Sequence, residues 1–461
     1  MNDSHLINLD IKQNFKPEND NKILYGEVNT PFSLIREMFS IFPEEIFSNP
    51  DIKWLDPATG CGYFPMVLYN LLMEGLREKI NNSKTRSNHI LQNMIYMCEI
   101  NEKNIKTLKS LFGDKAQIHN YDFLSTNTSN FMIKKEKFDV VIGNPPYNSN
   151  GMKKVPTNTK LNKKQDGITS WTFFIKHSMS MLREDGYLNM IIPSIWMKPD
   201  KAKMFQYMTQ YKIHKLKTFT NTQTKNIFKG QAQTPTCYFL LQKRQTDNKI
   251  AIFDDIYNTY MEYTLTGSSI PLLGISVVNR VKKYADTYGR LNVIKTSLPS
   301  SYNKLSYTQD KQHIYQNIKT TILQGLQPSP VIEFSTKPCA YNGEKKIILA
   351  HKMYGFPYYD KKGIYGISNR DNYVILSYNN DEFIKIQQFL NTKLIMYLYE
   401  TTRYRMKYLE KYVFEFIPNI LNIPNFPNEI NDETINLFFG FSQQEINYFS
   451  NFHKKYKLIV D

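Results

Sequence analysis

From Lys53 to Gln242, short apolar runs alternate with longer helix-like stretches, and this alternation restricts the fold more than any other feature of the chain. The strand candidates are Ile52–Leu55, Met94–Cys98, Ala116–His119, Phe138–Ile142, Tyr187–Ile192, Lys215–Phe219 and Cys237–Gln242. Most are short, rich in β-branched or aromatic residues, and apolar on both faces. Helical stretches at Pro65–Ile80, Asn101–Phe112, Ser170–Leu182 and Lys201–Tyr211 separate them. Strand and helix in this alternation imply an α/β fold with a doubly wound parallel sheet. No full helix separates the last two strands, which predicts an antiparallel pair joined by the loop around Thr220–Pro235.

Two segments flank this region. Before it, Thr30-Pro31 has the form of a helix start, with Thr as N-cap and Pro at the first helical position. After about Arg244 the alternation stops, tyrosine becomes frequent, and Gly and Pro punctuate short strands. A helix is expected at about Asp381–Tyr399, followed by a basic aromatic stretch from Thr401 to Tyr408. The organisation expected is a flexible segment over 1–24, a sheet domain over 25–245 and a second domain over 246–461.

Charge bears on the partner. The chain has 58 Lys+Arg against 42 Asp+Glu, a net charge of +16, which suits a polyanion. A Lys-, Asn-, Ile- and Tyr-rich composition also follows from AT-rich codons, so part of this charge has a genomic origin. Cys61, Cys98, Cys237 and Cys339 make no CxxC pair, and the histidines make no HExxH or HxxxH pattern. Neither a metal site nor a disulfide framework is expected. The first 21 residues lack the apolar core of a signal peptide, and no apolar run approaches the ~20 residues of a membrane span. The expectation is a soluble protein of a reducing, cytoplasmic compartment, bacterial or viral, with no membrane partner.

Four strand ends carry residues suited to chemistry. Asp56-Pro57-Ala58-Thr59-Gly60-Cys61-Gly62 follows the first strand, and glycines there let backbone approach a ligand closely. Such a turn is as often a plain strand-to-helix connection. The second strand ends in Glu99, a carboxylate able to accept both hydroxyl protons of a ribose and equally suited to solvent. After the third come Asp122, an acceptor for an adenine amine, and Phe123, a cover for its ring. The fourth runs into Asn144-Pro145-Pro146-Tyr147. A given tetrapeptide arises by chance in well under ~1 % of chains this long.

That tetrapeptide fits transfer to a planar amine. An aromatic amine is a poor nucleophile because its lone pair is delocalised into the ring. Two acceptors aimed at its protons draw the nitrogen toward tetrahedral geometry and stabilise the charge that develops. Asn144 supplies a side-chain oxygen, and the rigid prolyl turn can aim the Pro145 carbonyl at the same amine. Tyr147 offers a face for a base to stack on.

In this order the motifs resemble the gamma-class, TaqI-like DNA adenine-N6 methyltransferases of restriction–modification systems. The resemblance is specific over residues 25–245. It implies a Rossmann-like class I methyltransferase sheet with a C-terminal α+β target-recognition domain. It also implies S-adenosyl-L-methionine held by Thr30, Pro31, Asp56, Ala58, Gly60, Gly62, Glu99, Asp122 and Phe123. Catalysis would fall to Asn144, Pro145, Pro146 and Tyr147. Phe228 would stack on a flipped base opposite Tyr147, although Phe219 and Phe239 lie nearby as core candidates. Arg403, Arg405 and Lys407 would contact double-stranded DNA, and Lys153, Lys154, Lys160, Lys163 and Lys164 phosphates or the closed site. A mixed-charge surface helix and a solvated loop account for these two basic stretches equally well.

Rival readings are an RNA adenine methyltransferase, a protein-glutamine methyltransferase, a cytosine-N4 methyltransferase and a catalytically idle nucleic-acid-binding subunit. Cytosine-C5 chemistry lacks a cysteine near the cofactor, since Pro338-Cys339 follows the sheet at a distance. About 50 residues precede the first strand, and Pro199-Asp200 lacks a convincing Glu-x-Lys partner. The expectation is therefore a methyltransferase without cleavage activity of its own, with a separate cognate restriction endonuclease as a possible partner.

Overall fold

The computed structural model describes residues 28–125, 137–149, 168–232, 234–325, 327–351, 355–404 and 409–452. Its centre is a nine-stranded sheet. In chain order the strands are β1 Trp54–Asp56, β2 Ile95–Glu99, β3 Gln117–Asn120, β4 Phe138–Gly143, β5 Leu182–Pro193, β6 Tyr211–Phe219, β7 Thr236–Gln245, β8 Lys249–Asp254 and β9 Thr259–Thr264. In space they run β9-β8-β6-β7-β5-β4-β1-β2-β3. The strands β3, β2, β1, β4 and β5 pair in parallel, and β7 is antiparallel to both β5 and β6. This is the class I methyltransferase arrangement, with one reversed strand inserted beside β5.

The parallel core follows from its residues. Trp54, Leu55, Met97, Cys98, Val140 and Val141 are fully buried, as strands covered on both faces require. Between the strands lie α1 Phe32–Phe39, which precedes β1, then α2 Tyr63–Gly75, α3 Ser83–His89, α4 Glu102–Phe112, α5 Trp171–Met181, α6 Met204–Thr209 and α7 Asn221–Ile227. The α4 helix starts where the Asn101 side chain caps the Lys103 N–H at 3.0 Å, and it stops at Gly113 with φ +82°.

Three expectations change in detail. The loop between β6 and β7 contains the short helix α7, built on a capping box of Thr220 and Gln223. The sheet extends two strands further than expected, through β8 and β9. Thr30 does not cap α1: Pro31 holds the N-cap position without a side-chain bond, and the Thr30 hydroxyl turns to Asn144 instead.

Two compact units result. One comprises residues up to 252 with 262–266, and the other comprises 253–261 with everything from 267 onward. The second unit holds two four-stranded sheets. Its strands are β10 Ile294–Lys295, β11 Leu305–Ser306, β12 Tyr315–Gln324, β13 Gln327–Ser335, β14 Lys346–Ala350, β15 Pro357–Asp360, β16 Gly366–Ile367 and β17 Asn372–Ile375. They are ordered β10-β17-β14-β15 and β11-β13-β12-β16. Ile318, Ile348, Ile367 and Val374 pack into a common core. The helix expected at Asp381–Tyr399 is two helices, Asn380–Leu390 and Lys393–Thr401, because Thr392 caps a new start by accepting from the Ile395 N–H. Among the described residues, no helix is long and apolar enough to cross a membrane.

Candidate active site

The carboxyl ends of β1, β2, β3 and β4 open on one cleft. It is lined by Val28–Thr30, the turn Pro57–Cys61, Glu99, Tyr121–Phe123, Asn144, Pro146 and Phe174. It encloses about 760 Å³ of empty space, part of it open solvent.

The glycine turn and the acidic strand tip are built as one piece. Glu99 is buried, and its Oε2 accepts the Gly60 N–H at 2.6 Å. Its Oε1 accepts the N–H groups of Ile100 and Asn101 at 3.0 and 2.8 Å. A carboxylate offers roughly four acceptor sites, and backbone occupies three here. Glu99 therefore has less capacity for a ribose diol than the sequence suggested, and a two-handed clasp requires one backbone bond to yield.

Beneath the turn, Asp56 is 2 % exposed. Its Oδ1 accepts the Ala58 N–H at 3.2 Å, while its buried Oδ2 has no partner among the described residues. Burial pushes this carboxyl up to about 8; the Ala58 N–H opposes the rise and the charge of Glu99 adds to it. Gly143 is tied to the same group. A Cβ on it would lie 2.9 Å from Asp56 Oδ1, and its φ is +147°, so only glycine brings β4 this close.

Across the cleft, Asp122 is exposed and uses Oδ1 for the Leu124 N–H at 3.0 Å. Phe123 is buried, with its ring stacked on Phe174 at 5.5 Å and 17°. A backbone turn freed by Gly60 at φ +55°, the acceptor Asp122 and the aromatic wall of Phe123 together fit an adenosyl ligand.

The turn after β4 is fixed at both ends. The Asn144 Nδ2 donates to the Val28 carbonyl at 3.2 Å and to Thr30 Oγ1 at 3.1 Å. Ser170 Oγ donates to the Pro146 carbonyl at 2.5 Å, and the Ser170 N–H to the Tyr147 carbonyl at 3.1 Å. Among the described residues the Pro145 carbonyl takes no such bond. Asn144 Oδ1 likewise takes no bond among the described residues. Residues 54–228 match the model of the Eco57I restriction-modification methylase family.

Other proteins match parts of the chain. The type II restriction enzyme and methyltransferase RM.Eco57I of Escherichia coli is 30 % identical over 156 residues, covering 32 % of this chain and 15 % of its own length. An uncharacterized adenine-specific methylase of Mycoplasma pneumoniae is 24 % identical over an alignment of 372 residues, covering 62 % of this chain and 84 % of that one. Among solved structures, the Type IIL restriction-modification enzyme MmeI in complex with DNA superposes with a TM-score of 0.48 at 11 % identity, over 96 % of this chain and 78 % of that one. The chain spans only about a seventh of RM.Eco57I.

Of the residues singled out in the sequence, Thr30, Ala58, Gly60, Glu99, Asp122, Phe123, Asn144 and Pro146 line the cleft. Pro31, Asp56, Gly62, Pro145 and Tyr147 do not. Gly62 serves packing, because a Cβ there would meet the Leu108 side chain at 2.8 Å. Tyr147 is half-buried, and its hydroxyl is sealed without a partner among the described residues. Burial first, then Cys237, raises that hydroxyl well above the phenol range.

Two further expectations fare worse. Phe228 is 2 % exposed, in the turn closing α7, and does not reach the cleft. Arg403 is ion-paired with Glu400 at 2.7 Å and its side chain is 11 % exposed, so it is no open phosphate contact. Arg405, Lys407 and the lysines at 153, 154, 160, 163 and 164 lie outside the described residues. Sequence reasoning missed Val28, Ser170 and Phe174. Val28 acts through its carbonyl, which leaves no mark in a sequence, and Phe174 reads as core. Among the described residues, no group of three or more His, Cys, Asp or Glu is placed to hold a metal ion.

Proposed function

We propose that this chain is an S-adenosyl-L-methionine-dependent methyltransferase acting on the N6 amine of an adenine flipped out of duplex DNA. The observation that carries the reading is the fixed polarity of the Asn144 amide beside an unused Pro145 carbonyl. When bound, S-adenosyl-L-methionine supplies an electrophilic methyl group. The Gly60 turn, Glu99, Asp122 and Phe123 would hold it, and Asp56 braces the turn from beneath through the Ala58 N–H. Asn144 Oδ1 and the Pro145 carbonyl accept the two amine protons and draw the nitrogen toward tetrahedral geometry. Tyr147 stacks on the base. Holding amine and methyl in line supplies the rate advantage, and no covalent protein intermediate is needed.

Flipping costs a few kcal/mol, which stacking offsets in part. A second stacking face from Phe228 requires the turn at 228–231 to open. Duplex DNA is supported by the basic charge and by two exposed tyrosines of the second unit, each beneath a lysine. Tyr302 lies under Lys337 at 6.0 Å and Tyr307 under Lys319 at 4.5 Å, with the rings 78 % and 74 % exposed. A separate cognate endonuclease reading the same site is the partner we propose. Expression in a host without adenine methylation tests the reading. Sequencing that detects modified bases should find N6-methyladenine throughout one short motif; an unmodified genome alongside soluble, cofactor-binding protein would refute it.

A further inference from the structure

We infer that Thr30 is a positioning residue that holds the Asn144 amide in the plane and polarity that the Val28 carbonyl selects. The inference rests on Asn144 being the acceptor for the target amine. A primary amide has a donor end and an acceptor end of nearly the same shape, and a half-turn about the terminal bond exchanges them. In one orientation the site accepts from an amine, and in the other it presents N–H against N–H. Nothing in Asn144 itself decides between them.

The decision comes from a segment more than a hundred residues earlier in the chain. The Val28 carbonyl can only accept, so the atom facing it at 3.2 Å must be Nδ2. Thr30 Oγ1 accepts from the same nitrogen at 3.1 Å. One bond selects the polarity, and a second to the same nitrogen holds the amide plane. Thr30 is 3 % exposed, so water is poorly placed to replace its oxygen. The hydroxyl has no capping task at the start of α1, which leaves Asn144 as its partner among the described residues. A role as cofactor ligand would use the donor side of the hydroxyl, whereas the role inferred here uses the acceptor side.

The test compares Thr30→Val, which keeps the shape and removes the acceptor, with Thr30→Ser, which restores it. Thr30→Ala, which introduces no bulk, covers the case in which Val disturbs folding. The single-turnover rate at saturating DNA and cofactor should fall about tenfold in Thr30→Val and Thr30→Ala, the worth of one buried hydrogen bond. Cofactor affinity should stay within about twofold and Thr30→Ser should recover most of the rate.

A readout independent of activity is the side-chain amide of Asn144 in protein labelled with nitrogen-15 at asparagine, assigned by its loss in Asn144→Ala. One of its two proton resonances should move upfield in Thr30→Val and return in Thr30→Ser. An unmoved resonance, an unchanged rate, or a loss confined to cofactor affinity would overturn the inference. If the wild type methylates no adenine, the functional reading fails, and the amide resonance still decides whether Thr30 holds Asn144.

Discussion

Asn144 and Asp56 place opposite demands on one corner of the fold. Asn144 needs an oxygen free to accept and has its nitrogen tied off; Asp56 keeps a carboxyl oxygen buried and unpaired. Asn144→Ala should abolish methyl transfer while leaving cofactor affinity nearly intact, and turnover at a normal rate would count against the amide as acceptor. Tyr147→Phe removes a buried hydroxyl with no partner among the described residues and keeps the stacking face. It should retain transfer within about threefold and gain about 1 kcal/mol in denaturant unfolding, whereas Tyr147→Ala should lose activity. For Asp56 the folded carboxyl titrates near 8, above its unfolded value of 3.8. Its contribution to stability is therefore full below the unfolded value and is lost as pH rises through about 8. Thermal melts of Asp56→Asn and wild type without cofactor should diverge in favour of the variant as pH rises from about 4 to about 8; parallel curves would show that the carboxyl is not held neutral. Asn144-Pro145-Pro146-Tyr147 was legible because its chemistry is contiguous. The clamp from Val28 and Thr30 was not, because a backbone carbonyl and a remote hydroxyl carry no local pattern. The burial of Phe228 and the ion pair of Arg403 were not legible, because residue type says nothing about whether a ring or a guanidinium ends up covered.

At the scale of elements, the parallel strands could be read because strands buried on both faces are nearly continuous apolar runs. Their carboxyl ends were read one residue short, and β5 began five residues earlier than expected, at Leu182. Strands β8 and β9 were missed because they are not continuously buried: β8 alternates buried with half-buried positions and β9 buries only Tyr263, next to a change in texture. One helix was expected where two exist, since a capping Thr inside an amphipathic run looks like any polar position until its hydroxyl is seen to accept a backbone N–H. The approach of β4 to β1 is the element-level feature the site depends on. Gly143→Ala forces a methyl to within 2.9 Å of Asp56 Oδ1 at a backbone angle that favours glycine. We expect a loss of about 1–3 kcal/mol in unfolding free energy and weaker cofactor binding. A neutral outcome would mean that β4 and Asp56 can separate without cost.

For the whole molecule, a net charge of +16 predicts DNA affinity that falls steeply with salt. Tyr302→Ala with Tyr307→Ala should weaken binding to target and non-target duplexes alike, read by fluorescence anisotropy at fixed ionic strength. Unchanged affinity would move the DNA surface elsewhere on the chain. The measurement closest to the central claim supplies the purified chain with S-adenosyl-L-methionine carrying a tritiated methyl group and offers duplex DNA, RNA and protein in parallel. Digestion of the labelled product to nucleosides should return the label on N6-methyl-deoxyadenosine, from duplex DNA alone and not with Asn144→Ala. Label on RNA, on a glutamine side chain, on cytosine, or on adenine at an undiminished rate in Asn144→Ala would contradict the account.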